Sequence, residues 1–135
     1  MQRAVGLSIV AVSYALSCAP ARLDAAAAQW RARLSEAIQA PVETREQRTQ
    51  HSQILVDAIA HDALEQLTLA QVQAAFGQGY ACSGNELCSK QGFSGDDLYY
   101  PVGKLQTDSI KQLPILIVGF DPHGNVRRVY TLRTD

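Results

Sequence analysis

Cys82 and Cys88 stand six positions apart in YACSGNELCSK, with Ser, Gly, Asn and Glu among the residues between them. Two thiols at that spacing could close a small disulfide ring, clip a metal or remain free. Zinc knuckles place two to four residues between paired cysteines and usually need a second ligand pair. Here His51, His61 and His123 are scattered without ligand spacing. Cys82 with His123 could in principle pair a nucleophile with a base. Asp96 and Asp97 precede an apolar run, where turn or strand capping competes with calcium binding or acid–base work, and no third ligand is evident. GQGYAC has a bare Gly-x-Gly without the strand–loop–helix context of a phosphate loop. GFSGDD has a serine between glycines but not the nucleophile-elbow spacing. No catalytic residue, metal site or cofactor is assigned from these patterns.

Which chemistry the cysteines perform depends on where the chain resides. Arg3 gives a positive start, and Ala4 to Leu16 is apolar or small without charge. That run is shorter than the ~20 residues of a membrane span. It fits the apolar region of a secretory signal peptide, expected over residues 1–21. Two cleavage sites compete. ALSC, ending at Cys18, is a loose lipobox with Ala15 where leucine is usual, and would leave Cys18 lipidated. APA, residues 19–21, is an ordinary small-x-small site. Ala19 after the cysteine favours the outer membrane over inner-membrane retention. In either case Cys82 and Cys88 remain as an even pair in an exported chain, and the expected pairing is a disulfide. A ring that small contributes roughly 2–2.5 kcal/mol in the loop-entropy view.

Removing the leader leaves roughly 115 residues, enough for one domain with one core. The formal net charge of −1 gives no electrostatic case for nucleic acid.

The elements divide into a helical half and a strand half. Asp24 is placed to cap a helix running to about Gln39, with Leu23, Ala27, Trp30, Leu34 and Ile38 on one apolar stripe. Residues 41–50, PVETREQRTQ, read as a second helix opening or a polar linker. A helical pattern then covers His51 to Leu67, with His61 on its polar side. Thr68 and Gln71 form a capping box for LAQVQAAF, which stops at Gly77. Residues 77–97 read as a long loop with a short strand near Tyr80 to Cys82. DLYYPVG, LPILIVGF and VRRVYTLR read as strands, and DPHGN, residues 121–125, joins the last two as a hairpin. Pro101 cannot donate to a ladder, so its strand lies at an edge or breaks there. The expected class is α+β, with N-terminal helices packed on an antiparallel sheet of three or four strands in two layers. The division is residues 22–50 as N-terminal helix and linker, and 51–135 as the α+β domain.

LEQLTLAQVQAAFGQG, DDLYYPVG and ILIVGFDPHGNVRRVYTL together resemble the SmpA/OmlA domain of BamE-like outer-membrane lipoproteins, over roughly residues 60–134. That fold is related to β-lactamase inhibitor proteins. Gln66 and Leu67 stand where the family usually has Gly-Met, and the cysteine loop is longer than its usual connection. The resemblance implies a non-enzymatic, exported lipoprotein that binds a protein partner in the cell envelope and serves its assembly, held to the membrane by lipid at Cys18. A periplasmic or secreted inhibitor or immunity protein of the same fold is the alternative.

With no catalytic set in view, function is expected to rest on surface complementarity. The loop from Ser83 to Gly95 carries Leu87 and Phe93 among polar residues, and Tyr99 and Tyr100 alternate faces on the following strand. Apolar anchors ordered in advance lose less entropy on binding. These four residues, with the Trp30 helix as the next candidate, are the expected partner-binding set.

Overall fold

The computed structural model describes residues 18–106 and 112–134, with side chains described from residue 25 onward. Residues 1–17 of the leader expected over residues 1–21, and the side chain of Cys18, lie outside this description. The elements run α1 (Cys18–Gln39), β1 (Pro41–Val42), α2 (Arg45–Ala60), α3 (Leu69–Phe76), β2 (Tyr80–Ala81), α4 (Glu86–Lys90), β3 (Leu98–Pro101), β4 (Lys104–Leu105), β5 (Ile115–Phe120) and β6 (Val126–Leu132). The class is α+β. The helices pack on a four-stranded antiparallel sheet of order β2-β3-β5-β6, and β1 and β4 form a small parallel pair beside it.

Asp24 does not start the first helix. The helix begins at Cys18 and runs through the alanine-rich stretch, whose residues favour helix and offer no break. Pro20 sits in the first turn, where a missing N–H costs little. The polar stretch after Pro41 is a helix rather than a linker. Thr44 caps it: its hydroxyl accepts from the Gln47 N–H at 3.1 Å, and the Gln47 side chain accepts from the Thr44 N–H at 3.2 Å. This helix runs unbroken across residues 50 and 51. It buries His51, Ser52, Leu55 and Ala58.

The helical pattern from His51 does not continue to Leu67. It ends in a Schellman turn, with the Ala63 N–H on the Ala58 carbonyl and the Asp62 N–H on the Ile59 carbonyl. Asp62 takes the left-handed position, φ 59°, where glycine is usual. The next helix follows its sequence signals. Thr68 and Gln71 satisfy each other's backbone N–H groups, and Gly77, φ 92°, ends α3.

One face of the sheet meets the helices. Leu98, Tyr100, Leu116 and Val118 point into a core with Leu34, Ile38, Leu55, Leu64, Val72 and Phe76. Leu34, α2 and the sheet therefore belong to one core. The C-terminal segment is tied to α2, because Ser52 Oγ donates to the Thr134 carbonyl at 3.0 Å and accepts from the Thr134 N–H at 3.1 Å. His51 Nδ1–H donates to the Val102 carbonyl at 3.0 Å. The β5–β6 hairpin turns at Asp121, whose side chain accepts from the backbone N–H groups of Asn125 and His123. The bond from Asn125, followed by that from His123, holds the Asp121 carboxyl below its ordinary pKa. Pro101 is the last residue of β3, beyond the reach of the two-residue β2, so its missing N–H falls where the strand breaks. No helix among the described residues is long and apolar enough to cross a membrane.

Candidate protein-docking surface

The second face of the sheet is built by strand register. Tyr80 pairs with Tyr99, Tyr99 with Ile117, and Ile117 with Tyr130. Residues directly opposite one another point to the same side of a sheet. One row thus crosses all four strands on the face turned away from the helices. A second row runs Pro101, Ile115, Leu132. The Tyr80 and Tyr99 rings stack at 5.2 Å between centroids, 25° from parallel.

The loop of residues 82–97 covers part of this face. Cys82 and Cys88 are bonded to each other, with Cα atoms 5.6 Å apart, and both are buried beside Ile117. The sulfurs are therefore neither a metal clip nor free thiols, and Cys82 has no thiol for His123 to activate. The sequence reading leaves out the short helix α4 inside this loop. Asn85 starts it by accepting from the Cys88 N–H at 3.0 Å. Asp97 is the loop's anchor and is buried. Its carboxylate accepts from the Ser94 N–H at 2.8 Å and from the Phe120 N–H at 3.0 Å, which ties the loop to β5. Capping is thus the role of Asp97.

The expected binding residues fall in different places. Leu87 and Phe93 are half-buried and pack with the cysteines around Ile117. Phe93 lies over Gly119 on one side and under the Arg128 guanidinium, 3.9 Å from its ring centroid, on the other. Arg128 also donates to the Gln91 carbonyl. Both side chains therefore spend apolar surface fastening the loop. Tyr99 is half-buried on the outer face. Tyr100 points the other way: it is 2% exposed, and its hydroxyl donates to the Gly77 carbonyl at 2.8 Å. Trp30 is remote from this face and half-buried. Its ring stacks on His61 at 4.8 Å, and the Arg33 guanidinium lies 4.9 Å from its centroid. His61 is exposed, and its ring nitrogen also donates to the Asp57 carbonyl.

The structure brings Tyr99 together with three residues that sequence reasoning missed: Tyr80, Ile115 and Tyr130. Tyr80 is 59% exposed; Ile115 and Tyr130 are half-buried. Counting outward from the hairpin at residues 121–125 would set Val129 opposite Ile117; the irregularity between Gly119 and Phe120 shifts the register by one and brings Tyr130 there instead. Nothing comparable marked Tyr80, whose strand is two residues long.

This face has large rings at fixed positions, a covalently closed loop at one border and no charged side chain in its central row. It suits a surface that desolvates against another protein, where tyrosines are common anchors. Comparison of the chain with protein-family models, with curated proteins and with solved structures finds no match in any of the three.

Proposed function

We propose that this chain is an exported, non-enzymatic binding module of the cell envelope, which holds a protein partner on the outer face of its sheet. The observation that carries the reading is the row Tyr80–Tyr99–Ile117–Tyr130, with its two tyrosines stacked and its edge ring open to solvent. Stacking restricts the Tyr80 ring before any partner arrives, which lowers the entropy lost on binding. The Cys82–Cys88 bond supports an oxidising compartment. The apolar leader and ALSC support export with a lipid on Cys18, which would face the domain to the periplasm from the outer membrane. The arrangement of helices before an antiparallel sheet is compatible with the SmpA/OmlA resemblance, and a role in envelope assembly follows from that resemblance.

The test combines anchoring and binding. Fatty-acid labelling is expected in the wild-type chain and absent from Cys18→Ala. Replacing Tyr80 and Tyr130 together with Ser is expected to weaken recovery of the envelope partner while thermal unfolding remains cooperative. Unchanged recovery in a folded double variant would place binding elsewhere, with the Trp30 helix next in line.

A further inference from the structure

We propose a divalent-metal site in the helical layer: His51 of α2 and Glu36 of α1 hold a zinc-class cation in the cleft of about 420 Å³ between the two helices. The cleft is lined from α1 by Arg33, Glu36 and Ala37 and from α2 by Gln50, His51 and Ile54.

His51 carries the inference. It is 7% exposed, and its Nδ1–H donates to the Val102 carbonyl at 3.0 Å. A carbonyl only accepts, so Nε2 of the neutral ring keeps its lone pair. Nε2 has no hydrogen-bond partner among the described residues, and it is not sealed from solvent. A ring this deeply buried reaches solvent where it lines the cleft. The backbone behind the ring is shaped to hold it. A Cβ on Gly103 would lie 3.0 Å from His51 Nδ1 and 2.6 Å from Val42 Cγ2, and Gly103 has φ 132°, so only glycine fits there. An imidazole with Nδ1–H fixed on a backbone carbonyl and Nε2 free is the arrangement that metal-binding histidines use.

The neighbouring groups choose the cation. Glu36 and Gln50 are exposed, and they bring a carboxylate and an amide oxygen to the same cleft from α1 and α2. One imidazole with oxygen donors suits zinc, copper or nickel, whereas magnesium and calcium take oxygen ligands. Arg33 also borders the cleft, but its guanidinium lies over the Trp30 ring, 4.9 Å from the centroid. No group of three or more His, Cys, Asp and Glu side chains converges among the described residues. Solvent oxygens therefore complete the shell, and binding is weaker than at structural zinc sites with four protein ligands. A cation held from both helices stabilises their packing, since it binds the folded chain and not the unfolded one.

The site lies outside the outer-face rows and does not depend on a partner seated there. The experiment is an amide-resolved NMR titration of the ¹⁵N-labelled, disulfide-bonded protein with zinc chloride, and with magnesium chloride in parallel. Zinc is expected to give saturable shifts at Glu36, Gln50 and His51, and magnesium none there. Glu36→Gln, at an exposed position, should keep the fold and weaken zinc binding at least about tenfold, as much as losing a group that merely orients a metal ligand. His51→Gln should abolish binding, with the fold checked by the dispersion of the same spectra. Replacing His61 and His123 together with Ala should leave binding unchanged. No saturable zinc shift at Glu36, Gln50 and His51 would overturn the proposal. So would shifts confined to His61 and His123, an equal response to magnesium, or undiminished zinc binding in Glu36→Gln.

Discussion

Phe93 lies so close over Gly119 that a methyl group on that glycine would meet the ring at 3.0 Å. A phenylalanine in the cysteine loop and a glycine in the middle of the sheet thus form one contact, which seats the loop on β5. Gly119→Ala should force the ring aside and destabilise the fold by about 1–3 kcal/mol. The cost should shrink in a Phe93→Leu background, where the side chain can yield. Urea unfolding of both single variants and the double variant should show a coupling above about 0.5 kcal/mol. Additive costs would mean that the two residues do not meet.

The Asp97 carboxylate holds the same loop from its other end, through the N–H groups of Ser94 and Phe120. Asp97→Ala leaves both donors without that acceptor, and bonds to a charged group contribute about 1.5–3 kcal/mol each. A loss of at least about 1.5 kcal/mol in chemical denaturation is expected, with faster hydrogen exchange at Phe120. A variant as stable as wild type would contradict the anchoring role.

The bond between Cys82 and Cys88 should block both thiols to alkylation in non-reduced protein, as read by mass spectrometry. Reduction should lower stability by roughly 2 kcal/mol, the scale set by closing so small a ring. Free alkylation of both cysteines in protein purified from the native cells without reductant would refute the pairing.

Burial pushes the Tyr100 hydroxyl up to about 12, against about 10 for the unfolded chain. Between those values the unfolded chain releases this proton while the folded chain keeps it. The contribution of Tyr100 to stability is therefore full below pH 10 and is lost as pH rises from about 10 to about 12. Ultraviolet titration should show one late-ionising tyrosine that disappears in Tyr100→Phe. The same variant should flatten the alkaline fall in stability.

The two-layer arrangement was legible because its signals are local. Thr68 with Gln71 announces a helix start, and DPHGN announces a hairpin; both are realised through side-chain oxygens that accept from backbone N–H groups within a few residues. The end of α2 was not legible, because Asp62 rather than glycine takes the left-handed turn and leaves the apolar pattern unbroken into Leu64 and Leu67. The start of α2 could have been read from Thr44 and Gln47, the same box that marked Thr68 and Gln71. The outer face was hidden for a different reason. Its row joins Tyr80 to Tyr130 through pairings across fifty residues of chain, and a two-residue strand carries no alternation. From the sequence Phe93 reads equally as a binding anchor or as a side chain that tucks the loop onto the core, because nothing in its neighbourhood marks Gly119 as the place where it lands.

The central claim is that a partner seats on the outer face of the sheet, and site-specific photo-crosslinking in the native cells tests it most directly. A photo-reactive residue at Tyr80, Ile115 or Tyr130 is compared with one at Leu69, which is exposed on α3. The account predicts light-dependent adducts of one common mass from the three sheet positions and none from Leu69. Adducts from Leu69 alone, or none from any sheet position in a folded and exported chain, would contradict it.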